Sequence, residues 1–517
     1  MPKCKINGQE VEVEAGTTII EAFKKLDSEI AHYCYHPGLS VAGVCRLCMV
    51  EIEGNPRLQI ACNTVVQDGM VINNNSEKVK ETVKWGLDFH LINHPLDCPI
   101  CDQAGECELQ IQYMKFGQYD PEMAEPKVKK NKVVDLGSKI VLDSERCILC
   151  SRCVRFTEEV SKTNELGIFN RGDRSEIGTF DGKPLENDYA VNTVDICPVG
   201  ALTSKDFRFR QRVWYLKNKE TVCPGCSTGC NVKSYYNEEG LFRVKPRQND
   251  EVNGYWMCDK GRDTYKFVNK ENRLLEPKVG QSGQWDSQEV DGVMSVMSTK
   301  IDDAVKSAGS DKVALVLTGQ YTSEEYASML SYFVGHLKSK NVYHWVNNPE
   351  SFDEFDGLLL RGDRNPNTKG LLNGLDQHGI TAPWSDLETK LNAGDIEVLL
   401  VAGPEDPSVF PTLTEKVSLF SKAKNLFWMS AAKTEAADSA TTKTWQIPLK
   451  TYAEKEGTFV NHKGIEQKIQ PMVNIVDCAQ TLSEVASALS GQKVDHLGSL
   501  VKDRKTNHFI NHHGGGL

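Results

Sequence analysis

Residues 3–14, CKINGQEVEVEA, alternate apolar and charged positions around Asn7-Gly8, a pattern that predicts a β-hairpin closed by a type I′ turn. Thr17 or Thr18 is placed to cap a short helix reaching Leu26. After a long cysteine-bearing loop, CMVEIEG (48–54) predicts another strand, and these elements outline a small β-rich domain. Residues 76–93, SEKVKETVKWGLDFHLIN, carry apolar side chains at helical spacing behind Ser76 as a cap. The polar run 121–135 predicts a connector, and the Pro, Gly and Gln content of 272–290 predicts a linker. Beyond it the pattern changes. KVALVLTG (312–319), EVLLVAGPED (397–406) and NLFWMSAA (425–432) read as buried strands, with an amphipathic helix predicted over 323–339 and a helix-like segment between the last two strands. Strands alternating with helices predict a parallel, doubly wound sheet.

The chain of 517 residues is long enough for several domains. Its 60 basic and 71 acidic residues leave a net charge of −11, which gives no support for nucleic-acid binding. No apolar run reaches the length of a transmembrane helix, and the N-terminus lacks the apolar core of a signal peptide. A reducing cytoplasm, or the cytoplasmic face of a membrane complex, is the expected location. The second half shows no GxGxxG fingerprint and no phosphate-binding loop, so no nucleotide site is predicted there. The tail NHFINHHGGGL reads as a disordered terminus rather than a metal site.

Cysteine changes the picture most. Of 17 cysteines, all but Cys478 lie within residues 1–258. An odd number without a secretion signal argues for metal or redox chemistry over a disulfide framework. The first set is Cys34, Cys45, Cys48 and Cys62, which suits a [2Fe–2S] cluster, with a zinc site as the bland alternative. Its first gap departs from plant-type ferredoxin spacing, while the small residues Gly38, Ala42 and Gly43 are expected to let backbone N–H groups approach a cluster. The second set holds only Cys98, Cys101 and Cys107, with His94 four residues upstream. A lone histidine is more often structural. No spare cysteine lies nearby, however, and imidazole ligation has precedent in Rieske centres, so spacing favours His94 as the fourth ligand.

The third set opens as C-x2-C-x2-C at Cys147, Cys150 and Cys153, with Thr157 where a two-cluster ferredoxin has its fourth cysteine. The Cys197-Pro198 pair completes it, and this spacing points to [4Fe–4S]. The fourth set, Cys223, Cys226, Cys230 and Cys258, viewed alone fits a zinc ribbon as well as a cluster, and its company in the chain favours iron–sulfur. Cys4 and Cys478 are left over, Cys4 as a small strand residue.

The order of these sets and their flanking words, CYHPGLSVAGVCRLCMVEIE, HPLDCPICDQAGECELQ, SERCILCSRCVRF, DICPVGALT and CPGCSTGC…NGYWMCDKGR, closely resembles the large iron–sulfur subunit of NADH:quinone oxidoreductase, bacterial respiratory complex I. The resemblance covers residues 1 to about 265. It implies one [2Fe–2S] cluster on the first set and [4Fe–4S] clusters on the other three, with His94 a true ligand. It implies an α+β N-terminal half: a β-grasp [2Fe–2S] ferredoxin domain (1–75), a His/Cys3 [4Fe–4S] domain (76–120), a ferredoxin-like [4Fe–4S] domain (136–210) and a [4Fe–4S] domain of molybdopterin-oxidoreductase type (218–272). The α/β C-terminal half (290–517) more faintly resembles a shortened molybdopterin-oxidoreductase fold, through LLLRGDRNPNTKG (358–370) and TYAEKEGTFVNHKGIEQ (451–467). Cys478 lacks the histidine expected after it in such an active site, so no molybdopterin is expected and the domain reads as a scaffold. Lys260 stands where such enzymes have a lysine between cluster and pterin, and reads here as a surface or cluster-proximal charge.

The resemblance further implies a relay of single electrons. An FMN- and NADH-binding flavoprotein would supply them, beside a small thioredoxin-like [2Fe–2S] subunit, and a downstream [4Fe–4S] subunit would carry them toward quinone. The chain would be a peripheral subunit on the cytoplasmic side of the inner membrane, with no residue catalytic in the bond-making sense. Rival expectations are an electron-transfer subunit of a soluble NAD-linked hydrogenase or formate dehydrogenase, which shares the first three motifs, and a zinc-stabilised scaffold.

Overall fold

A computed structural model describes residues 1–120, 122, 123 and 125–491, so the histidine-bearing tail lies outside the described residues. The described chain divides into two compact units, Met1–Lys266 with Phe355–Leu360, and Phe267–Glu354 with the residues from Arg361 onward.

In the first unit the predicted hairpin forms from Lys3–Ile6 and Gln9–Glu12. Asn7 and Gly8 both take positive φ (51° and 85°), as a type I′ turn requires. The sheet has five strands, and Lys3–Ile6 pairs in parallel with Val71–Asn73 at its centre. Helix Ile19–Lys25 buries Ile19, Ile20, Ala22 and Phe23. Its start is set by Thr18, whose N–H donates to Glu21 in a capping box. A helix cradled on such a mixed sheet is the β-grasp arrangement. Cys4, facing inward from the first strand, belongs to this core.

Ser76 caps helix Glu77–Leu91 by accepting from the Val79 N–H, and that helix carries the chain into the second cysteine segment. A three-stranded sheet of Val134–Asp135, Ile140–Leu142 and Leu202–Ser204, with helix Arg152–Glu159, frames the third set. An antiparallel sheet of Lys217–Val222, Asn231–Asn237 and Gly240–Pro246 frames the fourth.

The second unit is built on a seven-stranded sheet whose parallel strands run in the order Lys443–Pro448, Asn425–Ser430, Val398–Ala402, Val313–Leu317 and Val342–His344. Val313–Leu317 and Val398–Ala402 are buried along their whole length, as a sheet covered on both faces demands. Leu315, Leu317 and Leu400 pack with Met297, Ile301 and Met329 on one face. Ala314, Val316 and Leu399 pack with Leu387, Leu391 and Phe420 on the other.

The expected linker 272–290 is a correction. Lys278–Gln281 and Gln284–Ser287 form a hairpin that extends this sheet antiparallel to Lys443–Pro448. Ser282 and Gly283 at positive φ turn it (51° and 84°), so its small and amide-bearing residues are those of a tight turn between strands too short to show alternation. The predicted helix 323–339 also differs: its α-helical part is Ser323–Leu330, followed by a π-helical turn, Ser331–His336.

Candidate metal centres

All four first-set cysteines are buried. Their thiols associate in two hydrogen-bonded pairs, Cys34 with Cys45 and Cys48 with Cys62. Within each pair the bond stabilises one thiolate and disfavours the other, holding Cys34 and Cys48 down and pushing Cys45 and Cys62 up. Two thiols on each of two positions is the donor arrangement of a two-iron cluster. The Tyr33 N–H also donates to Cys45 Sγ at 3.4 Å. Gly43 turns the loop at φ 64°. Gly38 is small for a different reason than expected: a Cβ there would come within 2.8 Å of the Tyr255 ring and 2.9 Å of the Trp256 ring, so it serves aromatic packing.

In the second set Cys101 and Cys107 are buried and Cys98 is exposed. The Asp97 carbonyl accepts from the Ile100 and Cys101 N–H groups (2.9 and 2.8 Å), winding Cys98 and Cys101 into one turn. Cys107 begins helix Glu108–Phe116, whose first amides, of Leu109 and Gln110, favour its thiolate while burial pushes it up to about 11. Gly200 carries no signal in the sequence, yet a Cβ there would lie 2.2 Å from Cys101 Sγ, so only glycine lets the Cys197 loop pass this site. That loop also meets Cys107, since the Glu108 N–H donates to the Pro198 carbonyl at 2.9 Å.

His94 is half-buried, and its Nδ1 is buried without a hydrogen-bond partner. Burial first, then the charges of Arg146 and Lys127, lowers its pKa to about 4, so the ring is neutral, the form a metal ligand needs. The three thiols interact with one another. The charges acting on His94 are those of Arg146, Lys127, Asp143 and Asp97, and it lines a cavity with Cys147 and Asn93.

Cys147, Cys150, Cys153 and Cys197 line one largely apolar cavity with Leu142, Ile177 and Leu202. Between the cysteines Leu149 and Ser151 take left-handed φ (54° and 60°), which turns backbone amides inward. The Leu149 N–H reaches Cys147 Sγ at 3.4 Å, and amides of Leu202, Val199 and Ala201 face the Cys197 thiol. Burial nonetheless pushes Cys147 and Cys197 to about 11 and Cys150 to about 12. Such thiols stay protonated at neutral pH unless a cation draws the protons off.

The fourth set is buried at all four cysteines. Burial and the other three cysteines raise Cys230. The Gly225 N–H donates to Cys223 Sγ (3.4 Å) and the Gly261 N–H to Cys258 Sγ (3.3 Å), which caps helix Asp259–Arg262. Lys260 on that helix is exposed. Cys478 stands apart, its thiol donating to the Leu275 carbonyl at 3.4 Å. Among the described residues no three His, Cys, Asp or Glu side chains close on a single metal ion. A polynuclear cluster takes its thiolates on different irons and so uses a wider ring of donors.

Comparison with known proteins divides the first half of the chain in the same way. Residues 3–77 match a family model described as a 2Fe-2S iron-sulfur cluster binding domain, and 86–121 the NADH-ubiquinone oxidoreductase-G iron-sulfur binding region. Residues 137–203 match the ferredoxin-like domain of NADH-quinone oxidoreductase subunit 3, and 216–270 the molybdopterin oxidoreductase Fe4S4 domain. The NADH-quinone oxidoreductase-G protein of Rickettsia bellii is 36% identical over 341 residues, 66% of this chain and 49% of that protein. Its counterpart of the same name in Streptomyces coelicolor is 40% identical over 276 residues, 53% of this chain and 33% of that protein. The mitochondrial 78 kDa subunit of NADH-ubiquinone oxidoreductase from Candida albicans is 35% identical over 340 residues, 65% of this chain and 46% of that protein. The chain thus spans about half the length of these curated relatives, or less. Among solved structures, a chain of an NAD+-reducing [NiFe]-hydrogenase in the H2-reduced state covers 41% of this chain, and 91% of its own length, at 26% identity and a TM-score of 0.38. The chain therefore carries [2Fe–2S]- and [4Fe–4S]-binding domains and is similar to the NADH-quinone oxidoreductase-G proteins.

Proposed function

We infer that this chain is an iron–sulfur electron-relay subunit of an NADH:quinone oxidoreductase. The observation that carries the reading is the partition of 15 of its 17 cysteines into four spatial groups, within domains that match cluster-binding families. Cys34, Cys45, Cys48 and Cys62 would hold a [2Fe–2S] cluster. Cys147, Cys150, Cys153 and Cys197, and separately Cys223, Cys226, Cys230 and Cys258, would each hold a [4Fe–4S] cluster. Cys98, Cys101 and Cys107 would hold a third, with His94 as its fourth ligand; its neutral ring and unpartnered Nδ1 support that role.

Bound clusters supply one-electron oxidation and reduction. The protein's part is to hold thiolates that burial alone would protonate, to aim amides at the sulfurs and to exclude water. Electrons would come from an FMN-bearing, NADH-oxidising subunit with a small [2Fe–2S] subunit beside it, and leave through a downstream [4Fe–4S] subunit toward quinone. No described helix is long and apolar enough to cross a membrane. We place the chain as a peripheral subunit of that complex, on its cytoplasmic side. We read the second unit as a shortened molybdopterin-oxidoreductase-like scaffold without the pterin.

Anaerobic purification followed by iron, acid-labile sulfide and EPR measurements tests the reading. Both cluster types should appear, and the protein should co-purify with membrane subunits. Zinc without labile sulfide, or co-purification with a soluble hydrogenase, would overturn it. Replacing His94 by Ala tests the ligand: an unchanged spectrum would show that another group completes the second site.

A further inference from the structure

We propose that Arg155, seconded by Arg152, is an electrostatic bridge between the first and third thiol sets that raises the reduction potentials of the clusters held at both. The proposal rests on the iron–sulfur reading above. Both arginines lie on helix Arg152–Glu159, which also carries Cys153, and both are buried, at 8% and 3% exposure for Arg155 and Arg152.

Their partners come from both sites. Arg155 Nη2 donates to the Cys34 carbonyl at 2.6 Å and to the Cys150 carbonyl at 3.4 Å, joining a ligand residue of the first set to one of the third. Its Nη1 donates to the Ser40 carbonyl and its Nε to the Ser151 hydroxyl. Arg152 spans the same gap, from the Tyr35 carbonyl (2.8 Å) to the Ile196 carbonyl (3.1 Å) beside Cys197.

The charge balance is the telling feature. Arg152 has a carboxylate, Glu108, at 3.3 Å. The four acceptors of Arg155 are all neutral, and Glu159, one turn further on, accepts from the Ser40 N–H and hydroxyl instead. A guanidinium held this far from water requires a counter-charge. Iron–sulfur cores ligated by four thiolates are net anionic and gain a further negative charge on reduction, so a fixed cation between two of them favours both reduced forms. Arg155 is thus a positioning residue that ties the backbone of two sites together and biases both in one direction.

The test is an EPR-monitored redox titration of the intact protein in its complex. Arg155→Gln keeps hydrogen-bonding capacity and removes the charge. It should shift the one-electron equilibria of the [2Fe–2S] cluster and the third-set [4Fe–4S] cluster about tenfold toward the oxidised form, about 59 mV each. Arg155→Lys, which keeps the charge, should leave both close to wild type. A shift confined to one cluster, no shift, or equal shifts in the Gln and Lys variants would overturn the bridge. If Arg155→Gln does not assemble, Arg152→Gln reads the same quantity, and both potentials should again fall. Loss of both clusters from both Gln variants would show a structural role only and overturn the proposal. A wild-type protein without iron, sulfide or EPR signals would instead count against the relay reading itself.

Discussion

Both units bury charged side chains, and they differ in how one of those charges is met. In the α/β unit the charges close on themselves: Arg273 pairs with Glu454 at 2.7 Å, with both side chains at 0% exposure. Lys455 lies between Glu325 and Glu405 at 2.9 and 2.7 Å. In the cysteine-bearing unit Arg146 pairs with Asp143 at 3.3 Å and Arg262 with Asp195 at 2.5 Å. Among the described residues, however, the acceptors of the buried Arg155 are neutral, and burial pushes the nearby Cys150 and Cys153 thiols up. The Arg273 and Lys455 charges face carboxylates, whereas the hydrogen-bond acceptors described for Arg155 carry no charge.

Metal removal should separate the units most sharply. Metal binding to preorganised ligands is folding free energy, so stripping iron and sulfide should cost the first unit much of its amide-exchange protection. Residues 290–490 should keep theirs, and equal loss in both units would contradict the contrast.

Next in size is Lys455→Met, which leaves two buried carboxylates without their cation. It should destabilise the second unit by about 3–5 kcal/mol in denaturant unfolding and leave the cluster EPR signals unchanged.

A smaller effect follows from pH. Burial raises Glu405 from 4.5 to about 7 even with the Lys455 ammonium 2.7 Å away. The folded state then binds the proton more tightly than the unfolded chain. The stability contribution of Glu405 is fully present below 4.5 and is lost as pH rises through about 7. Denaturant midpoints of the second unit should fall across that window, and Glu405→Gln should flatten the slope. The smallest change belongs to Cys478→Ser, which exchanges one S–H donor for an O–H donor to Leu275. Stability should move by less than about 1 kcal/mol, with clusters untouched.

Much of this was legible from residue order alone. Cysteine gaps of two residues place thiols on one turn whatever surrounds them, so the local halves of the third and fourth sets are written in the sequence. The Asn7-Gly8 turn and the Thr18 and Ser76 caps are equally local, and the structure forms them at those residues. The buried strands of the second unit declared themselves because a sheet covered on both faces needs continuous apolar runs. The Lys278–Ser287 hairpin did not, because its strands are short edge segments whose partner, Lys443–Pro448, lies far along the chain.

Tertiary structure alone decided the rest. That Gly38 yields to Tyr255 and Trp256, and Gly200 to Cys101, depends on neighbours brought from distant sequence. So does the role of Arg155. A helical repeat places Arg152 and Arg155 near one face, but it cannot say that the face looks onto the carbonyls of Tyr35 and Cys34. Cysteine spacing is a property of a few adjacent bonds. The field those thiols feel is set by long-range packing, which no short stretch of sequence contains.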